Sequence, residues 1–325
     1  MNLIYAVLPI IAGFLLDFII GDPYWLFHPI RLMGALISAL EKAVRKLFKN
    51  NLRLGGAVLA AVVLLTSAGI PAALLYFMYK LNVWLGIAVE SILCFYCLAA
   101  RSLKKESMKV CAALENNDTE KARKAVSMIV GRDTKTLDNA GIAKAAVETV
   151  AENASDGVCA PLFYMALFGA VGALFYKAAN TMDSMIAYKN EKYKDIGFAA
   201  AKIDDVLNFI PSRLCALLMI VSSGILRMNM KNAAKIWRRD RRKHASPNSA
   251  QTESVCAGAL GLRLGGDAYY FGELHKKQFI GDSLREIEPS DIRLANSLMY
   301  TASALMLIIV VIFRAAFIFG LSAIS

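Results

Sequence analysis

Long apolar runs restrict this chain more than any other feature, because they are long enough to lie in a lipid bilayer. A bilayer core of about 30 Å is crossed by a helix of about 20 apolar residues. The apolar runs cover about 3–20, 55–79, 83–100, 159–176, 206–226 and 298–324. The sequence therefore predicts an all-α fold, that of a polytopic helical membrane protein, in which 1–325 form a single integral membrane domain.

The composition agrees with this prediction. Hydrophobic residues make up 57% of the 325 residues and charged residues only 19%, whereas soluble domains average about 45–50% and about 25%. This argues against a disordered chain and against an ordinary soluble enzyme. The formal net charge is +11, and basic residues of membrane proteins gather in cytoplasmic loops. A nucleic-acid partner is therefore not expected.

Two of the apolar runs are interrupted by residues that are unusual in a simple span. The run 159–176 is short and contains Gly169, and the run 206–226 contains Arg213. A lone arginine at a helix centre costs at least about 2.5–3.5 kcal/mol on insertion scales. These runs are either spans that line a polar cavity or helices that are re-entrant or buried. The terminal run carries Arg314, which either reaches the membrane surface or faces protein.

The distribution of Lys and Arg predicts which segments are cytoplasmic. The loop 21–54 is rich in basic residues, which places it in the cytoplasm. The runs 55–79 and 83–100 read as a hairpin, so that 101–158 returns to the same side. A single crossing by 159–176 would put a lysine-rich stretch outside. We therefore expect that neither interrupted run makes a simple crossing, and that 101–158 and 227–297 are cytoplasmic segments.

The cysteines do not form a recognisable framework. Cys94, Cys97, Cys215 and Cys256 lie in or beside apolar or small-residue stretches. No second ligand pair follows Cys94 and Cys97 at zinc spacing. We predict that they are small buried hydrophobes.

Two polar segments suggest sites for anions or cations. Asp22, His28 and Arg31 follow the first apolar run and either anchor the chain at the interface or bind an anion. Glu148 and Glu152 lie four residues apart, on one face of a predicted helix. Paired carboxylates suit Mg²⁺, which prefers oxygen ligands. The alternative for that face is a solvated set of salt bridges.

Three further segments place polar groups beside apolar runs, where they are functional candidates by default. The first two segments hold Lys177, Asn180, Asp183, Asp204, Asp205, Asn208 and Arg213. In the third segment, 237–266, arginines suit phosphate or carboxylate binding, and Ser246, Asn248 and Glu253 could cap and orient. The alternative for 238–243 is a basic membrane anchor. No Walker A loop or Rossmann fingerprint occurs.

These segments together resemble one family, the CobD/CbiB membrane proteins, adenosylcobinamide-phosphate synthases of cobalamin biosynthesis. The resemblance runs from about Asp17 to Arg293. It rests on G-D-P-x-W-x-x-H-P-I-R (21–31), S-x-I-V-G-R-D-T-x-x-L-D (127–138), A-V-E-T-V-A-E-N-x-S-D-G (146–157), A-P-L-F-Y (160–164), K-A-x-N-T-M-D-S-M (177–185), D-D-x-x-N-x-x-P-x-R-L (204–214), H-x-S-P-N (244–248) and A-G-A-L-G-x-R-L-G-G (257–266).

The resemblance implies a carbon–nitrogen ligase that joins aminopropanol, or its O-phosphate, to the propionate carboxylate of adenosylcobyric acid, with ATP and Mg²⁺. The corrinoid is then a substrate and not a prosthetic group. For this reaction the catalytic candidates are His28, Glu148, Glu152, Asp183 and His244, with His28 or His244 as the base. The metal candidates are Glu148, Glu152, Asp156 and Asp183. The candidates for binding substrate and phosphate are Asp22, Arg31, Asn153, Asp156, Lys177, Asn180, Asp204, Asp205, Asn208, Arg213, Ser246, Asn248 and Glu253.

The expected location is the inner cell membrane, with several spans in the lipid bilayer and the active face in the cytoplasm. A homo-oligomer, or a complex with other membrane proteins of cobalamin assembly, stays open. Three alternatives remain for the function. The chain could be a non-catalytic AmpE-like sensor, a corrinoid-binding subunit, or a transporter with Asp204 and Arg213 in its pathway. A transporter predicts symmetric repeats, and none is evident in the sequence.

Overall fold

The computed structural model describes residues 3–22, 28–188, 190–270 and 272–322. Pro23–Phe27, within the first motif, lie outside them. The predicted all-α fold is confirmed, since helices account for most of these residues and the strands are only three residues long. The elements are α1 (Leu3–Ile19), α2 (Pro29–Leu47), α3 (Leu52–Leu81), α4 (Val83–Cys97), α5 (Ala100–Glu115), α6 (Thr119–Val126), α7 (Asn139–Ala154), a π-helical turn (Ser155–Cys159), α8 (Ala160–Ile186), α9 (Phe198–Leu207), α10 (Phe209–Ile225), α11 (Met230–Asp240), α12 (Ser249–Leu260), β1 (Arg263–Gly265), β2 (Ala268–Tyr270), β3 (Glu273–His275), β4 (Phe279–Gly281) and α13 (Ser290–Ser322).

Four helical stretches among the described residues are long and apolar enough to cross a membrane, by length and composition. They are Leu52–Leu81, Val83–Glu115, Asn139–Ile186 and Ser290–Ile318. A fifth candidate is the pair α9 and α10, which is bent by 45°. The apolar runs of the sequence thus coincide with helices. The bend follows Asn208, where the sequence has a polar group inside an apolar run.

The hairpin of α3 and α4 was predicted, and its turn has a local cause. Asn82 lies between the two helices, and its side-chain oxygen accepts hydrogen bonds from the backbone N–H groups of Trp84 and Leu85, at 2.8 and 3.3 Å. This caps the first turn of α4, which would otherwise leave its N–H groups without acceptors. The two helices pack against each other.

The chain divides into two compact units. Unit 1 contains Met1–Ala99, Ala160–Asn208 and Leu307–Ser325, and unit 2 contains Ala100–Cys159 and Phe209–Met306. In unit 1, α1 packs on α4, and α3 packs on α2, α8 and α9. In unit 2, the almost wholly buried helix α12 packs against α7, α10 and α11. The prediction of a single domain stays a prediction.

Helix α8 reverses direction in its middle, which agrees with the expectation that 159–176 is not a simple crossing. Phe168 and Gly169 have non-helical backbone angles, and Gly169 has φ of 63°. The rings of Tyr164 and Tyr176 stack with centroids 5.2 Å apart, whereas twelve residues of straight helix span about 18 Å. A Cβ atom on Gly172 would lie 2.7 Å from the Tyr164 carbonyl oxygen. The two halves of α8 are therefore the arms of a helical hairpin.

Two charged side chains stabilise the tip of this hairpin. The Ala170 N–H donates to the Glu90 carboxylate at 3.3 Å, and Arg314 donates to the Met165 carbonyl oxygen at 2.6 Å. Both backbone groups belong to the broken part of α8, where intrahelical partners are missing. Of the two alternatives for Arg314, the structure places it against protein. The part played by Glu90 was not predicted.

In unit 2 the small residues of α12 allow a close helix contact. A Cβ atom on Gly258 would lie 2.7 Å from the Ala233 Cα atom of α11, so a larger residue would push the helices apart. The strands after α12 form two antiparallel pairs, β1 with β4 and β2 with β3. These strands were not predicted, because three residues are too short to show a period of two. All six cysteines are buried and free, as predicted.

Candidate functional site

The predicted carboxylate face of α7 exists and lies in unit 2. Asp138 caps the helix by accepting from the Gly141 N–H at 2.7 Å. Glu148 then receives the Arg132 guanidinium on Oε2 at 2.8 Å and the Gly265 N–H on Oε1 at 2.7 Å. Lys144 donates to the carbonyl oxygen of the same Gly265 at 2.9 Å. The Glu148 side chain is 13% exposed, so this is an enclosed face and not a solvated one.

The N-terminal half of α12 brings one more carboxylate and a hydroxyl to this face, where Glu152 of α7 also lies. Glu152 Oε1 accepts from the Ser249 hydroxyl at 2.8 Å, and Ser249 is the first residue of α12. Glu253 lies one turn further along and is buried. Burial raises the pKa of the Glu253 carboxyl well above its usual range, and the charges of Glu152 and Glu148 raise it further. The surroundings of this carboxyl therefore favour its protonated form.

His244 lies in the same cluster and is neutral at physiological pH. Burial lowers its pKa below the usual value, and the nearby Glu152 opposes this. Its Nδ1 accepts from the Ser246 N–H at 3.1 Å, which places the proton of the neutral ring on Nε2. We call Arg132, Glu148, Glu152, His244, Glu253 and Lys277 the unit 2 cluster, because their charges act on one another.

The loop before α12 holds the predicted phosphate-binding residues Arg213, Ser246 and Asn248 together. The Ser246 hydroxyl accepts from the Asn248 N–H at 3.3 Å. Arg213 donates to the Asn248 side chain at 3.2 Å and to the Phe209 carbonyl at 2.6 Å. Its guanidinium also lies 3.6 Å above the Phe209 ring centroid. Arg213 therefore joins α10 to the start of α12.

The remaining candidates on α7 and its extension differ in their surroundings. The Asn153 amide donates to the Thr149 carbonyl of its own helix at 3.0 Å. Asp156 lies in the π-helical turn Ser155–Cys159. Such single turns of wider helix are frequent at functional sites.

A second polar cluster lies in unit 1, at the second arm of the α8 hairpin. The Tyr176 hydroxyl bonds to Asn208 at 2.8 Å, and Asn208 donates to Asp204 at 3.0 Å. Asn180 reaches the other oxygen of Asp204 at 3.5 Å and accepts from Lys177 at 3.4 Å. We call these five residues the unit 1 cluster. The sequence predicted four of its members but not Tyr176.

The other unit 1 candidates lie around this cluster or at the start of α2. Asp183 follows Asn180 on α8, and Asp205 forms an ion pair with Lys202 at 3.7 Å. His28 Nε2 lies 3.2 Å from the Asp22 carboxylate, and its Nδ1 accepts from the Ile30 N–H at 3.3 Å. His28 thus caps α2, and Arg31 lies exposed in the first turn.

The predicted magnesium ligands do not form a ready-made cage. Glu148, Glu152 and Asp156 belong to unit 2 and Asp183 to unit 1. Both oxygens of Glu148 are already bound by Arg132 and Gly265. Over the described ranges no group of three or more His, Cys, Asp or Glu side chains is arranged to hold a metal ion. The magnesium site stays a prediction.

Sequence reasoning missed Arg132 and Lys277 as members of the unit 2 cluster. Arg132 lies in the G-R-D-T stretch of the second motif, and its side chain is only 10% exposed. An enclosed arginine needs a carboxylate partner, so the motif held a usable signal. Lys277 gave none, because it lies in a polar loop without periodicity.

Comparison with known proteins gives one consistent result. The family model described as CobD/Cbib protein matches residues 10–299. The cobalamin biosynthesis protein CobD of Clostridium perfringens is 50% identical over 305 residues, covering 94% of this chain and 97% of that protein. The CobD protein of Pelobacter propionicus is 46% identical, covering 91% of each chain. The cobalamin biosynthesis protein CbiB of Salmonella typhimurium is 43% identical over 315 residues, covering 96% and 98%. No solved structure matches the chain.

Proposed function

Since this chain belongs to the CobD/CbiB family of cobalamin biosynthesis proteins, we propose that it is a carbon–nitrogen ligase. The reaction joins aminopropanol, or its O-phosphate, to the propionate carboxylate of adenosylcobyric acid, at the expense of ATP. The product is adenosylcobinamide or its phosphate. The observation that carries the proposal is the unit 2 cluster, which gathers carboxylates, a neutral imidazole and cations in an enclosed place.

The reaction needs activation, because joining a carboxylate and an amine is unfavourable in water. In the proposed route the propionate oxygen attacks the terminal phosphorus of ATP, and the bond to the bridging oxygen breaks to release ADP. The amine nitrogen then attacks the acyl carbon, phosphate leaves, and the amine proton passes to a base. Three tasks follow for the protein: to bind phosphate groups, to stabilise negative charge, and to accept a proton.

The unit 2 cluster suits the last two tasks. Arg132 and Lys277 provide positive charge beside the carboxylates. His244 is kept neutral by burial, and only a neutral imidazole can accept a proton. Its Nδ1 is engaged by the Ser246 N–H, so that hydrogen bond has to open when the ring acts as the base. The Nδ1 of His28 is similarly engaged at the cap of α2.

The unit 1 cluster suits the binding of a polar substrate. Asp204 and Asn208 are buried, yet they are linked to Lys177 through Asn180. A corrinoid carries many amide side chains, which pair well with asparagine and carboxylate groups. The proposed location is the cytoplasmic face of the inner membrane. The basic loops of the sequence support that side.

Reconstitution tests the proposal directly. Purified full-length protein in detergent receives adenosylcobyric acid, ATP, Mg²⁺ and either aminopropanol or its phosphate, and the product is followed by mass spectrometry. We expect an ATP-dependent gain in mass that corresponds to the amide. Folded protein that binds corrinoid but makes no amide with either amine would contradict the proposal and would indicate a binding subunit or a sensor.

A further inference from the structure

A group of arginines in unit 2 has more positive charge than the protein itself balances. We call Arg213, Arg241 and Arg242 the arginine triad, because the positive charges of Arg241 and Arg242 both act on Arg213. Their neighbours Arg239 and Lys243 both pair with the buried carboxylate of Asp240. Within the described part of the chain, by contrast, no carboxylate forms an ion pair with a triad member. Clustered like charges without counterions are unfavourable unless a ligand of opposite charge binds there.

Two members of the triad, Arg213 and Arg241, are anchored around the loop 241–248. Gln251 of α12 donates to the carbonyl oxygens of Arg241 and Pro247, both at 3.3 Å. Arg213 reaches the same Pro247 carbonyl at 3.5 Å. The side chain of Gln251 is held in turn by the Trp237 N–H at 3.0 Å. One buried glutamine therefore holds the backbone at both ends of the loop.

Aromatic rings orient two of the three guanidinium groups. Arg241 lies over the Trp237 ring at 4.6 Å from its centroid, and Arg213 lies over the Phe209 ring at 3.6 Å. A guanidinium that stacks by its face keeps its in-plane N–H groups for hydrogen bonds, although Arg213 already donates some of its own to Phe209, Asn248 and Pro247. Guanidinium forks of this kind match the oxygens of phosphate groups.

We propose that the arginine triad binds the polyphosphate chain of a nucleoside triphosphate. Three guanidinium groups exceed what a single phosphate of about −1.5 to −2 charge would neutralise, which favours a polyphosphate. Asn248, which Arg213 contacts, precedes Ser249, the partner of Glu152. The triad thus adjoins the carboxylate face within the same unit. This inference rests on the proposed function for the identity of the nucleotide as ATP.

Calorimetric binding of inorganic tripolyphosphate and of ATP to the full-length protein in detergent tests the inference. The double variant Arg241→Ala/Arg242→Ala should raise both dissociation constants by about a hundredfold, at about tenfold for each lost charge-assisted contact. The Arg241→Lys/Arg242→Lys variant keeps the positive charge but not the guanidinium fork, so it should lose less affinity than the double alanine variant. The exposed Lys235 on α11 provides the control, and Lys235→Ala should bind as the unaltered protein does. An unchanged affinity in the double alanine variant would overturn the inference.

Two further measurements separate other sources of phosphate. If inorganic phosphate binds the triad as tightly as tripolyphosphate, the site is one for a monophosphate and the inference is wrong. If the double variant changes only the retention of the protein in nanodiscs that contain anionic lipid, the triad is a membrane anchor and the inference is again wrong. If the double variant forms the amide normally and binds tripolyphosphate unchanged, the inference about the triad is wrong but the proposed ligase activity stands. Triad-dependent ATP binding without any amide product would contradict the proposed ligase alone.

Discussion

Glu253 is a carboxyl group whose surroundings favour its protonated form. It lies buried on α12 near Glu148 and Glu152. Because burial raises its pKa, the folded protein holds this proton more tightly than the unfolded chain does. The contribution to the free energy of unfolding is complete below the unfolded pKa of about 4.3 and is lost as the pH rises toward the raised value.

The variant Glu253→Gln should remove this dependence, since glutamine is neutral at every pH. We expect its thermal unfolding midpoint to fall less than that of the unaltered protein between about pH 4.5 and pH 9. Thermal unfolding in detergent at a series of pH values measures this. Glu120, 84% exposed on α6, gives a control in Glu120→Gln, whose curve should run parallel to that of the unaltered protein. Parallel curves for Glu253→Gln as well would show that Glu253 is ionised in the fold.

A substitution of Glu152 tests whether the negative charge of this single residue takes part in the reaction. Glutamine at this position keeps the size and the hydrogen bond from Ser249 but removes the negative charge. If the charge takes part in the reaction, turnover should fall by about a hundredfold or more, while the free energy of unfolding changes by less than about 1 kcal/mol. The amide assay and thermal unfolding measure the two effects. Full activity of Glu152→Gln would remove this residue from the proposed scheme.

At the scale of elements, the reversal in α8 depends on one glycine. Gly169 has φ of 63°, and a Cβ atom there would lie 2.4 Å from the Glu90 carboxylate. Alanine is strained at this backbone angle, and it would also displace the carboxylate that accepts from the Ala170 N–H. The tip of the hairpin therefore requires both a positive φ at residue 169 and room for the Glu90 carboxylate beside it.

We expect Gly169→Ala to destabilise the protein by about 2–3 kcal/mol, from strain of about 1–3 kcal/mol and a weakened hydrogen bond. Gly69 lies inside α3 with open space around it, and Gly69→Ala should be neutral or slightly stabilising. Unfolding midpoints of the two variants in the same detergent compare them. Equal effects would contradict this, because they would mean that position 169 tolerates a Cβ atom.

Across the whole molecule, local patterns were predictable and distant pairings were not. The helical period placed Glu148 and Glu152 on one face, and apolar length placed the α3–α4 hairpin. The partners of these faces come from far along the chain, as Gly265 does for Glu148 and Arg314 does for the tip of α8. No period links such pairs, because tertiary packing brings them together. For the same reason the sequence could list the site candidates but could not sort them into two clusters.

The reversal of α8 has a consequence for how the chain is placed in the membrane. Since the arms of the hairpin run back toward each other, the two ends of α8 lie on the same side of the hairpin tip. We therefore predict that the basic stretch that follows α8 lies on the same side of the membrane as the basic loop 21–54, in line with the preference for cytoplasmic lysine and arginine. A straight α8 would instead put that stretch outside.

Labelling of single introduced cysteines in intact cells distinguishes these two placements. The six native cysteines are buried, so their background reaction with a membrane-impermeant maleimide should be low. Lys49, Lys80 and Glu191 are exposed positions before α3, at its end, and after α8. We expect Lys80→Cys to react from outside, whereas Lys49→Cys and Glu191→Cys should react only after the membrane is made permeable. Reaction of Glu191→Cys in intact cells, with Lys49→Cys protected, would mean that α8 crosses the bilayer. In that case the hairpin tip, which Glu90 and Arg314 hydrogen-bond, would not be part of a re-entrant helix.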